Sequence, residues 1–356
     1  MTKQCSILCL AGDGIGPEIM RSTIAVLEAV SPLMKRPLNL EHADIGFAAL
    51  VKSGSTIPKE VTEKARKATG IILGPVSHND YPPRADGGLN PSGELRKSLG
   101  LFANIRPARN LPGIKTPTGR VIDLTIMREN LEGFYADRNM YAGDGEFMPV
   151  EGVALAVRRI TREASLNIAK AAFEWAIKCG ALRVTAVHKS NVMRMSDGLF
   201  LDCVREVACG YPQITYDEVL VDSAAALLVR DPERFDVIVT TNMFGDILSD
   251  LASELAGSLG TGASLNAGKT HAAAQAQHGS APDIAGQDKA NPLSLILSSA
   301  MLLRHLGEGV AADAIDAAVI RTLAMPGKRT KDLGGTTGCN MFTTYLCEAI
   351  TTELDP

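Results

Sequence analysis

The sequence is poor in aromatic residues, which make up 4% of its 356 residues and include a single tryptophan. Proteins that bind single-stranded nucleic acid stack bases on aromatic side chains, so this scarcity argues against a stacking platform. The net charge of −4 provides no broad basic surface for a phosphate backbone. Nucleic acid is therefore not an expected partner.

Long hydrophobic runs and paired cysteines are also lacking. No apolar run approaches the roughly 20 residues that a membrane-spanning helix needs, so no membrane partner is expected. The seven cysteines form no Cys-X-X-Cys pair and no zinc-ligand spacing. An odd, scattered set is typical of reduced thiols, which predicts a cytoplasmic protein.

Strands and helices alternate along the chain. The composition, 46% hydrophobic and 21% charged, suits a globular protein, and the length favours two domains. The alternation predicts an α/β fold with a parallel sheet covered on both faces. Strands are predicted at residues 6–11, 38–45, 70–73, 101–107, 121–127, 153–160, 182–187, 216–221 and 235–240. Loops are predicted at residues 74–92 and 141–150. Helices are predicted from the first glycine turn to about residue 30, at 57–67, around Arg96, at 197–209 and through Asp246 and Asp250, and the last two at 293–306 and 311–323. A further helix is predicted to run to residue 179, with Thr161 as its N-cap and Gly180 as its stop.

A small, polar, turn-forming segment at residues 278–286 precedes the apolar helix pattern at 293–306. Its glycines and proline predict a loop whose backbone N–H groups are free to meet a ligand. Asp283 can accept two hydrogen bonds from a ribose diol. The alternative is a helix-entry loop that binds nothing.

A second glycine-rich turn follows the first predicted strand at Gly12, Gly14 and Gly16. Such a turn could bind the pyrophosphate of a dinucleotide, which would make the protein a Rossmann 2-hydroxyacid dehydrogenase. Gly16-Pro17 replaces the end of that motif, which weakens the match. This alternative needs an acidic residue that closes the second strand, and Asp44 is the candidate.

Asp246 and Asp250 lie four residues apart on one predicted helix, so both carboxylates project from the same face. Two like charges at this spacing repel unless a cation lies between them. Mg²⁺ or Mn²⁺ would serve, with Asp222 at a predicted strand end as a third ligand. Ile247 and Leu248 are predicted to lie on the buried stripe of this helix. The alternative is a solvated acidic face.

Three arginines, Arg96, Arg106 and Arg128, each stand at the edge of an apolar element. Their guanidinium forks could bind two carboxylates of a ligand, or they could be unrelated surface residues. Lys189 and Tyr135 directly follow strands, where side chains point into a shared cleft. A lysine near other cations suits proton transfer, and a tyrosine can protonate a carbanion or simply pack.

Six segments in sequence resemble the metal-dependent β-decarboxylating dehydrogenases, which include isocitrate, homoisocitrate, 3-isopropylmalate and tartrate/D-malate dehydrogenases. The resemblance covers nearly the whole chain, and its motifs are closest to those of NAD-linked isocitrate and homoisocitrate enzymes. The segments are residues 12–18 (Gly-Asp-Gly-Ile-Gly-Pro-Glu), 104–107 (Asn-Ile-Arg-Pro), 128–130 (Arg-Glu-Asn), 188–192 (His-Lys-Ser-Asn-Val), 242–250 (Asn-Met-Phe-Gly-Asp-Ile-Leu-Ser-Asp) and the loop at 278–286.

The resemblance implies an α/β, two-domain isopropylmalate dehydrogenase-like fold that is not Rossmann. Residues 1–104 and 257–356 would form a large, discontinuous cofactor-binding domain, and residues 105–256 a small substrate, metal and dimerisation domain. Residues 153–160 match the arm through which subunits clasp. The expected assembly is a homo-oligomer, at least a dimer, with Lys189 and Asp222 entering the neighbouring subunit's site.

The resemblance also assigns site residues, with NAD and Mg²⁺ or Mn²⁺ as cofactors and a small hydroxy acid as substrate. Tyr135, Lys189 and Asp222 would be catalytic, and Asp222, Asp246 and Asp250 would bind the metal. Substrate contacts would come from Asn90, Ser92, Arg96, Arg106, Arg128 and Asn191. NAD contacts would come from Gly74, His278, Gly279, Ser280, Ala281, Asp283, Ile284 and Asn291.

Several positions depart from the family's patterns. Isocitrate enzymes usually carry Ser and Asn where this chain has Asn90 and Ser92, and a threonine where it has Leu131. Residues 274–277 (Ala-Gln-Ala-Gln) replace the usual acidic residue and proline before the histidine. The polar Asn90–Ser92 region predicts isocitrate or homoisocitrate as substrate, ahead of tartrate or D-malate and then 3-isopropylmalate. A remote alternative is a non-catalytic regulatory subunit.

Overall fold

The computed structural model describes residues 4–135, 140, 143 and 145–354, which form one large sheet, a hairpin and the surrounding helices. Its strands are β1 (Cys5–Leu10), β2 (Leu38–Ala43), β3 (Gly70–Leu73), β4 (Ala103–Arg109), β5 (Asp123–Glu129), β6 (Glu146–Val150), β7 (Val153–Ala156), β8 (Arg183–His188), β9 (Thr215–Leu220), β10 (Val237–Thr240), β11 (Leu265–Ala267) and β12 (Ala272–Gln275). Its helices are α1 (Gly16–Val30), α2 (Phe47–Ser53), α3 (Lys59–Lys67), α4 (Pro91–Ser98), α5 (Arg162–Cys179), α6 (Ser196–Ala208), α7 (Val221–Arg230), α8 (Asn242–Ala256), α9 (Leu293–His305), α10 (Gly309–Ala324) and α11 (Cys339–Leu354).

The large sheet is mixed, so the prediction of a parallel sheet is wrong at its centre. The strand order is β2-β1-β3-β12-β11-β4-β5-β10-β8-β9. The pairs β12–β11, β11–β4 and β4–β5 are antiparallel, and the outer pairs on both sides are parallel. The three residues of β11 are too few to show a strand periodicity in a glycine-rich stretch. The order also differs from the 3-2-1-4-5-6 order of a Rossmann fold.

The ends of α5 follow the sequence signals. Thr161 accepts a hydrogen bond from the backbone N–H of Ala164, and Gly180 ends the helix in the left-handed conformation. Both features confirm the predicted cap and stop. The sequence prediction missed α2, α7 and α11, and it placed Asp222 at a strand end although Asp222 lies in the first turn of α7.

The hairpin of β6 and β7 corrects the predicted arm. The structure has strand at Val153–Ala156 rather than 153–160, and residues 146–150 form a strand where a loop was predicted. Part of that predicted loop, including Tyr141, lies outside the described residues. Pro149 and a register shift between Phe147 and Val150 interrupt the alternation that marks a strand, which explains the missed β6.

Buried apolar residues form three clusters, and two of them match the predicted domain division. One lies wholly within residues 105–256 and packs α7 and α8 against β5 and β10. Another packs residues 8–101 and Ala273 around β1 and β3. The largest cluster runs through both predicted domains, and the boundary after residue 104 falls inside β4. The division into domains therefore stays a prediction.

Two structural observations bear on membranes and redox state. None of the helices in the described part of the chain is long and apolar enough to cross a membrane. All seven cysteines are free thiols.

Candidate functional site

Most of the predicted substrate-binding residues line one cavity of about 240 Å³. The cavity lies beside the antiparallel centre of the sheet, where β4, β5 and β12 meet the first turns of α4 and α8. Sequence-predicted residues in its lining are Asn90, Ser92, Arg96, Arg106, Arg128, Tyr135, Asp246, His278 and Gly279. The sheet thus gathers side chains from segments more than 180 residues apart.

The first glycine turn braces the loop at 278–286. The backbone N–H of Ile15 donates to the Ser280 carbonyl at 2.8 Å, and Asp13 N–H donates to the Pro75 carbonyl. Gly14 has φ +56°, and a Cβ there would lie 2.0 Å from the Ser280 oxygen. These contacts occupy amides that a pyrophosphate would need, so the Rossmann alternative is wrong on geometry.

The second element of that alternative also fails. Asp44, the proposed ribose acceptor at the end of the second strand, forms an ion pair with Lys52 on α2. Gly74 approaches the first turn so closely that a Cβ would lie 2.0 Å from the Ala11 carbonyl oxygen. Close backbone packing therefore requires glycine at position 74, and the predicted contact of Gly74 with NAD stays a prediction.

Arg106 and Arg128 are buried and lie side by side. Arg106 donates to Asn104 Oδ1 at 2.5 Å and to Ser249 Oγ at 2.8 Å. Arg128 donates to Asn242 Oδ1 from two nitrogens, at 3.2 and 2.7 Å. Burial, and then the neighbouring Arg128 charge, lower the pKa of Arg106 to about 10, so Arg106 is still charged at neutral pH. These bonds fix two cations in the cavity wall.

Asp246 and Asp250 face the same point. A single nitrogen of Arg106, Nη1, lies 3.2 Å from Asp246 Oδ1 and 3.1 Å from Asp250 Oδ1. A guanidinium nitrogen thus lies between the two carboxylates in this chain, and the predicted Mg²⁺ or Mn²⁺ stays a prediction. Leu248 is buried as predicted, but Ile247 is 59% exposed, so that part of the predicted stripe is wrong.

Tyr135 lies against this charged group. Its hydroxyl donates to Asp246 Oδ2 at 3.4 Å, and the Arg128 guanidinium lies 5.9 Å from its ring centroid. The side chain therefore sits within the cavity rather than in an apolar core. That placement suits a proton donor to a bound ligand.

Gln275, which the sequence prediction left without a role, connects the predicted specificity residues. Its Oε1 accepts from Ser92 Oγ at 3.0 Å, Arg96 Nη2 at 3.1 Å and Asn266 Nδ2 at 3.2 Å. Asn90 lines the same wall, and its Oδ1 caps α4 by accepting from Gly93 N–H. Gln275 therefore places a neutral acceptor in this wall of the cavity.

Gln277 makes a corresponding side-chain contact with Asp250. Its Nε2 donates to Asp250 Oδ1 at 3.0 Å, and its Oε1 accepts from Ser253 Oγ at 3.2 Å. Both glutamines alternate with small buried alanines along β12 and the residues that follow. Alternation along a strand could have revealed that they share one face.

His278 offers a buried nitrogen to a ligand. Its Nδ1 lies 2.9 Å from the Gly279 carbonyl oxygen, which can only accept, so Nδ1 carries the proton. Burial lowers the pKa of His278, so the ring is neutral at neutral pH and Nε2 is an acceptor. Among the described residues no donor reaches this buried Nε2.

The rest of the loop is anchored to the protein through Ser280 and exposed to solvent at Asp283. Ser280 Oγ bonds Ser77 Oγ at 2.7 Å, and Ala281 has a positive φ of 36°. Asp283 is exposed, and Ile284 is half-buried against the core. Lys289, the nearest basic residue along the loop, donates to Gln287 Oε1 at 2.7 Å. The Asp283 carboxylate is thus presented to solvent.

Asn291 is used structurally. Its Nδ2 donates to Asp332 Oδ2 at 2.8 Å, and its Oδ1 accepts from Leu293 N–H at the start of α9. These bonds tie the loop to the chain after α10. Its predicted contact with a cofactor stays a prediction.

Lys189, Asp222 and Asn191 are not among the residues that line the cavity. Lys189 Nζ donates to Asp222 Oδ1 at 2.5 Å, and this hydrogen bond lowers the pKa of Asp222. Among the described residues of one chain, no tight group of three metal-ligating atoms includes Asp222, Asp246 or Asp250. Asn191 is exposed in the turn after Lys189. One chain alone does not complete the predicted metal and proton-transfer site.

A buried ion pair connects the arm to three parts of the site. Arg158 Nη1 donates to Asp197 Oδ1 at 2.5 Å, and Asp197 Oδ2 accepts from Lys189 N–H at 2.5 Å. Arg158 Nη2 also donates to Thr241 Oγ1 at 3.0 Å, and the guanidinium lies 5.9 Å from the ring centroid of Phe134 and 5.6 Å from that of Phe244. The sequence prediction missed both residues of the pair.

Comparison with known proteins gives a consistent result. The model of the isocitrate/isopropylmalate dehydrogenase family matches residues 6–353. A regulatory subunit of mitochondrial NAD isocitrate dehydrogenase from Dictyostelium discoideum is 42% identical over 98% of this chain and 93% of its own. A 3-isopropylmalate dehydrogenase from Archaeoglobus fulgidus is 41% identical over 98% of this chain and 99% of its own.

A solved structure agrees with the fold. The crystal structure of isocitrate dehydrogenase from Methylococcus capsulatus superposes with a TM-score of 0.88 and 36% identity, covering 98% of this chain and 99% of that one. This match confirms the predicted fold class.

Proposed function

Because the chain belongs to the isocitrate/isopropylmalate dehydrogenase family, we propose that it oxidatively decarboxylates a 3-carboxy-2-hydroxy acid with NAD. The substrate is of the isocitrate or homoisocitrate type, and the products are a 2-oxo acid and CO₂. The observation that carries this proposal is the cavity that three arginines line together with Tyr135 and Asp246, while Asp250 contacts Arg106 beside it. Such a set binds a polyanion, stabilises negative charge and delivers a proton.

The arginines bind the substrate's carboxylates. Arg106 and Arg128 are fixed by Asn104, Ser249 and Asn242, so their forks are preorganised for bidentate contacts. Both arginines contact Asp246 in the structure. Each exchanges this contact for one with a substrate carboxylate when Asp246 binds the metal ion. Asn90, Ser92 and Gln275 form the wall that contacts the part of the substrate that differs between the candidate acids.

Asp246 and Asp250 would hold Mg²⁺ or Mn²⁺ together with Asp222 of a second subunit. The two carboxylates converge on one nitrogen of Arg106, and oxygen donors suit a hard cation, so the residues fit. When bound, the cation supplies Lewis-acid stabilisation of negative charge on the substrate's 2-oxygen.

NAD would lie along the loop at residues 278–286. The orphaned, buried Nε2 of His278 and the exposed carboxylate of Asp283 fit the donors of a nicotinamide ribose and an adenosine ribose. NAD supplies the acceptor for the hydride that leaves C2. Asp283 accepts from a ribose diol and repels the 2′-phosphate of NADP.

Two side chains of this protein move protons. Lys189 helps to remove the proton of the 2-hydroxyl when C2 is oxidised, and this proton passes through a water or Asp222. The β-keto acid then loses its 3-carboxylate as CO₂, and Tyr135 donates a proton to the carbon left behind. Its hydroxyl already lies at the charged centre of the cavity, 3.4 Å from Asp246.

A homodimer would complete the site. The strands β6 and β7 are exposed along their whole length, with Phe147 49% and Leu155 47% exposed. A contiguous apolar surface of this kind is typical of a subunit interface. The dimer would bring Lys189 and Asp222 of each chain to the cavity of the other. The cytoplasmic location stays a prediction, since one relative is named as mitochondrial.

Two other functions have support from specific relatives. The Archaeoglobus fulgidus relative is named a 3-isopropylmalate dehydrogenase, but an isopropyl arm would form no hydrogen bond with the polar side chains of Ser92 and Gln275. Tartrate or D-malate would leave part of the same wall unused. The Dictyostelium discoideum relative is named a regulatory subunit, whereas this chain retains every predicted catalytic residue.

The proposal is tested on the purified chain alone, with isocitrate and homoisocitrate, NAD and Mg²⁺ or Mn²⁺. We expect turnover that stops when EDTA is added, and we expect Lys189→Met to abolish turnover while NAD binding, measured by fluorescence, is retained. Turnover that is independent of metal, or a near-normal rate in the variant, would reject the assigned roles. No turnover in any condition would favour the regulatory subunit.

A further inference from the structure

Three potential metal ligands meet outside the catalytic cavity. Glu18 on α1, Asp288 in the chain after the cofactor loop and Cys339 at the start of α11 each place a ligand atom within 4.8 Å of the other two. The three segments are distant in sequence. None of these residues has a part in the proposed reaction.

Glu18 is the most unusual member of the group because it is buried with an unsatisfied oxygen. The residue is 5% exposed, and its Oε2 accepts from Gly286 N–H at 3.1 Å. No described residue donates to the buried Oε1, and none of the described basic side chains forms an ion pair with Glu18 or Asp288. A buried carboxylate oxygen without a partner is costly, and a bound cation would satisfy it.

Asp288 and Cys339 are held in place by the backbone around them. Asp288 Oδ1 accepts from Asn340 N–H at 2.8 Å, and its carbonyl accepts from Cys339 N–H at 3.2 Å. Capping of α11 thus accounts for one oxygen of Asp288 and leaves the other available. Cys339 is buried, with Sγ 3.2 Å from Ser22 Oγ, whereas Asp288 is on the exposed side, where an ion can enter.

We propose that Glu18, Asp288 and Cys339 form a site for a borderline-soft divalent cation, Zn²⁺ in particular, distinct from the hard-cation site at Asp246 and Asp250. Two carboxylates and a thiolate, with water in the fourth position, suit tetrahedral Zn²⁺. Ordinary Zn–O and Zn–S lengths would space the ligand atoms roughly 3.4–3.8 Å apart, so the group closes slightly on binding. The thiol proton leaves to solvent as the sulfur–metal bond forms.

An ion at this site would tie three elements together. Glu18 also bonds Gly286 in the cofactor loop, and Asp288 lies five residues after Asp283, the proposed ribose acceptor. We expect Zn²⁺ to raise the melting temperature and to lower KM for NAD. The effect on KM rests on the proposed function, whereas binding of the ion is independent of it.

The site is tested with Co²⁺, which replaces Zn²⁺ and gives a thiolate-to-metal charge-transfer band when a cysteine is a ligand. The full-length protein is titrated with Co²⁺ in the presence of excess Mg²⁺, which occupies hard-cation sites and does not compete for a thiolate. We expect the band to saturate at one equivalent and to disappear when Zn²⁺ is added. The catalytic aspartates offer no sulfur, so the band cannot come from the catalytic site and a failure here leaves the proposed function untouched.

Matched variants identify the ligands. Cys339→Ser should abolish the band, and Cys179→Ser, which removes an exposed thiol elsewhere, should leave it unchanged. Glu18→Gln keeps the shape and the buried amide contact, and should weaken Co²⁺ binding about tenfold or more. No band in the unmodified protein, or an unchanged band in Cys339→Ser or Glu18→Gln, would overturn the proposal. Circular dichroism verifies that each variant is folded. If Cys339→Ser is not folded, the result with Glu18→Gln tests the proposal.

Discussion

At the scale of single residues, Asp283 provides the clearest chemical choice in the molecule. Its carboxylate is exposed at the surface of the loop, and Lys289 is engaged with Gln287 instead of neutralising it. A negative charge at this position attracts a ribose diol and repels a phosphate. One side chain therefore acts on both cofactors in opposite directions.

We predict that kcat/KM is at least about a hundredfold higher with NAD than with NADP, because one unfavourable charge pair in a partly dry site costs a few kcal/mol. Exchange of Asp283→Lys together with Ile284→Tyr should reduce or reverse this preference and leave the dependence on metal and substrate unchanged. Steady-state kinetics with both cofactors provide the measurement. Equal kcat/KM values in the unmodified protein would show that Asp283 does not face the ribose.

Gln275 carries a second prediction at this scale. Gln275→Glu places a negative charge between Ser92 and Arg96, where a carboxylate of the substrate is expected. We expect KM for isocitrate to rise about tenfold, which corresponds to about 1.4 kcal/mol, with a smaller change in kcat. Gln213→Glu adds the same charge at an exposed position outside the cavity and should leave KM unchanged. A KM that is unaffected by Gln275→Glu would place the substrate arm elsewhere.

The sequence predicted the charged residues of the cavity better than the neutral ones. Arg106, Arg128 and Asp246 stand in long motifs or at helical spacing, and the structure brings them together. Gln275 and Gln277 belong to no such motif, and their role depends on which strands flank β12. The neighbours of β12 are set by the strand order of the mixed sheet, and local sequence periodicity does not predict strand order.

At the scale of elements, Arg158 connects the arm to the catalytic segments. The residue follows β7 and contacts α6, α8 and the turn that carries Phe134. Asp197, its partner, is fully buried and also holds the backbone N–H of Lys189. Movement of the arm would therefore change the position of the Lys189 backbone.

We predict that Arg158→Met lowers the free energy of unfolding by about 3–5 kcal/mol, because Asp197 is left as an uncompensated buried charge. It should also lower kcat by about a hundredfold through misplacement of Lys189. Chemical denaturation and steady-state kinetics measure the two effects. The control Arg120→Met, which changes an exposed arginine outside the arm and the cavity, should change neither.

The additional variant Asp197→Asn in the Arg158→Met background separates the two effects. It removes the buried charge and should recover part of the lost stability, but it does not restore the anchor of the Lys189 loop, so kcat should stay low. Unchanged stability in Arg158→Met would show that Asp197 is compensated by another group. Recovery of kcat in the double variant would show that Arg158 matters for stability alone.

The elements that the sequence prediction missed have physical reasons. The helix α11 buries Phe342, Leu346 and Ile350 at a spacing of four residues, but threonines on the other positions obscure the pattern. In contrast, α5 has a capping threonine, a long amphipathic run and a terminal glycine, and its bounds were predicted closely. Local signals thus located isolated helices but not short strands stabilised by their neighbours.

At the scale of the whole molecule, the proposed reaction needs two chains. The cavity contains Tyr135 and Asp246 of its own chain but neither Lys189 nor Asp222. The exposed hairpin of β6 and β7 and the exposed Ile247 provide apolar surface for a partner. A dimer with shared active sites accounts for all of these features.

We predict that two inactive variants complement each other when their subunits are exchanged. Lys189→Met and Asp246→Asn should each be inactive as homodimers. In a hybrid dimer, one site combines intact Asp246 from one chain with intact Lys189 from the other. Random exchange should therefore restore about a quarter of the unmodified activity, since half of the dimers are hybrid and each has one working site. Activity that does not return, in a mixture shown to contain hybrids, would place each site within a single chain.

The central claim is oxidation and decarboxylation of an isocitrate-type acid with NAD, and one set of kcat/KM values tests it most directly. The purified, unmodified protein is assayed with isocitrate, homoisocitrate, D-malate, tartrate and 3-isopropylmalate at saturating NAD and Mg²⁺ or Mn²⁺. We predict that isocitrate or homoisocitrate gives the highest value, tartrate or D-malate a lower one, and 3-isopropylmalate the lowest, because the wall of Asn90, Ser92 and Gln275 is polar. A clear preference for 3-isopropylmalate would contradict the account.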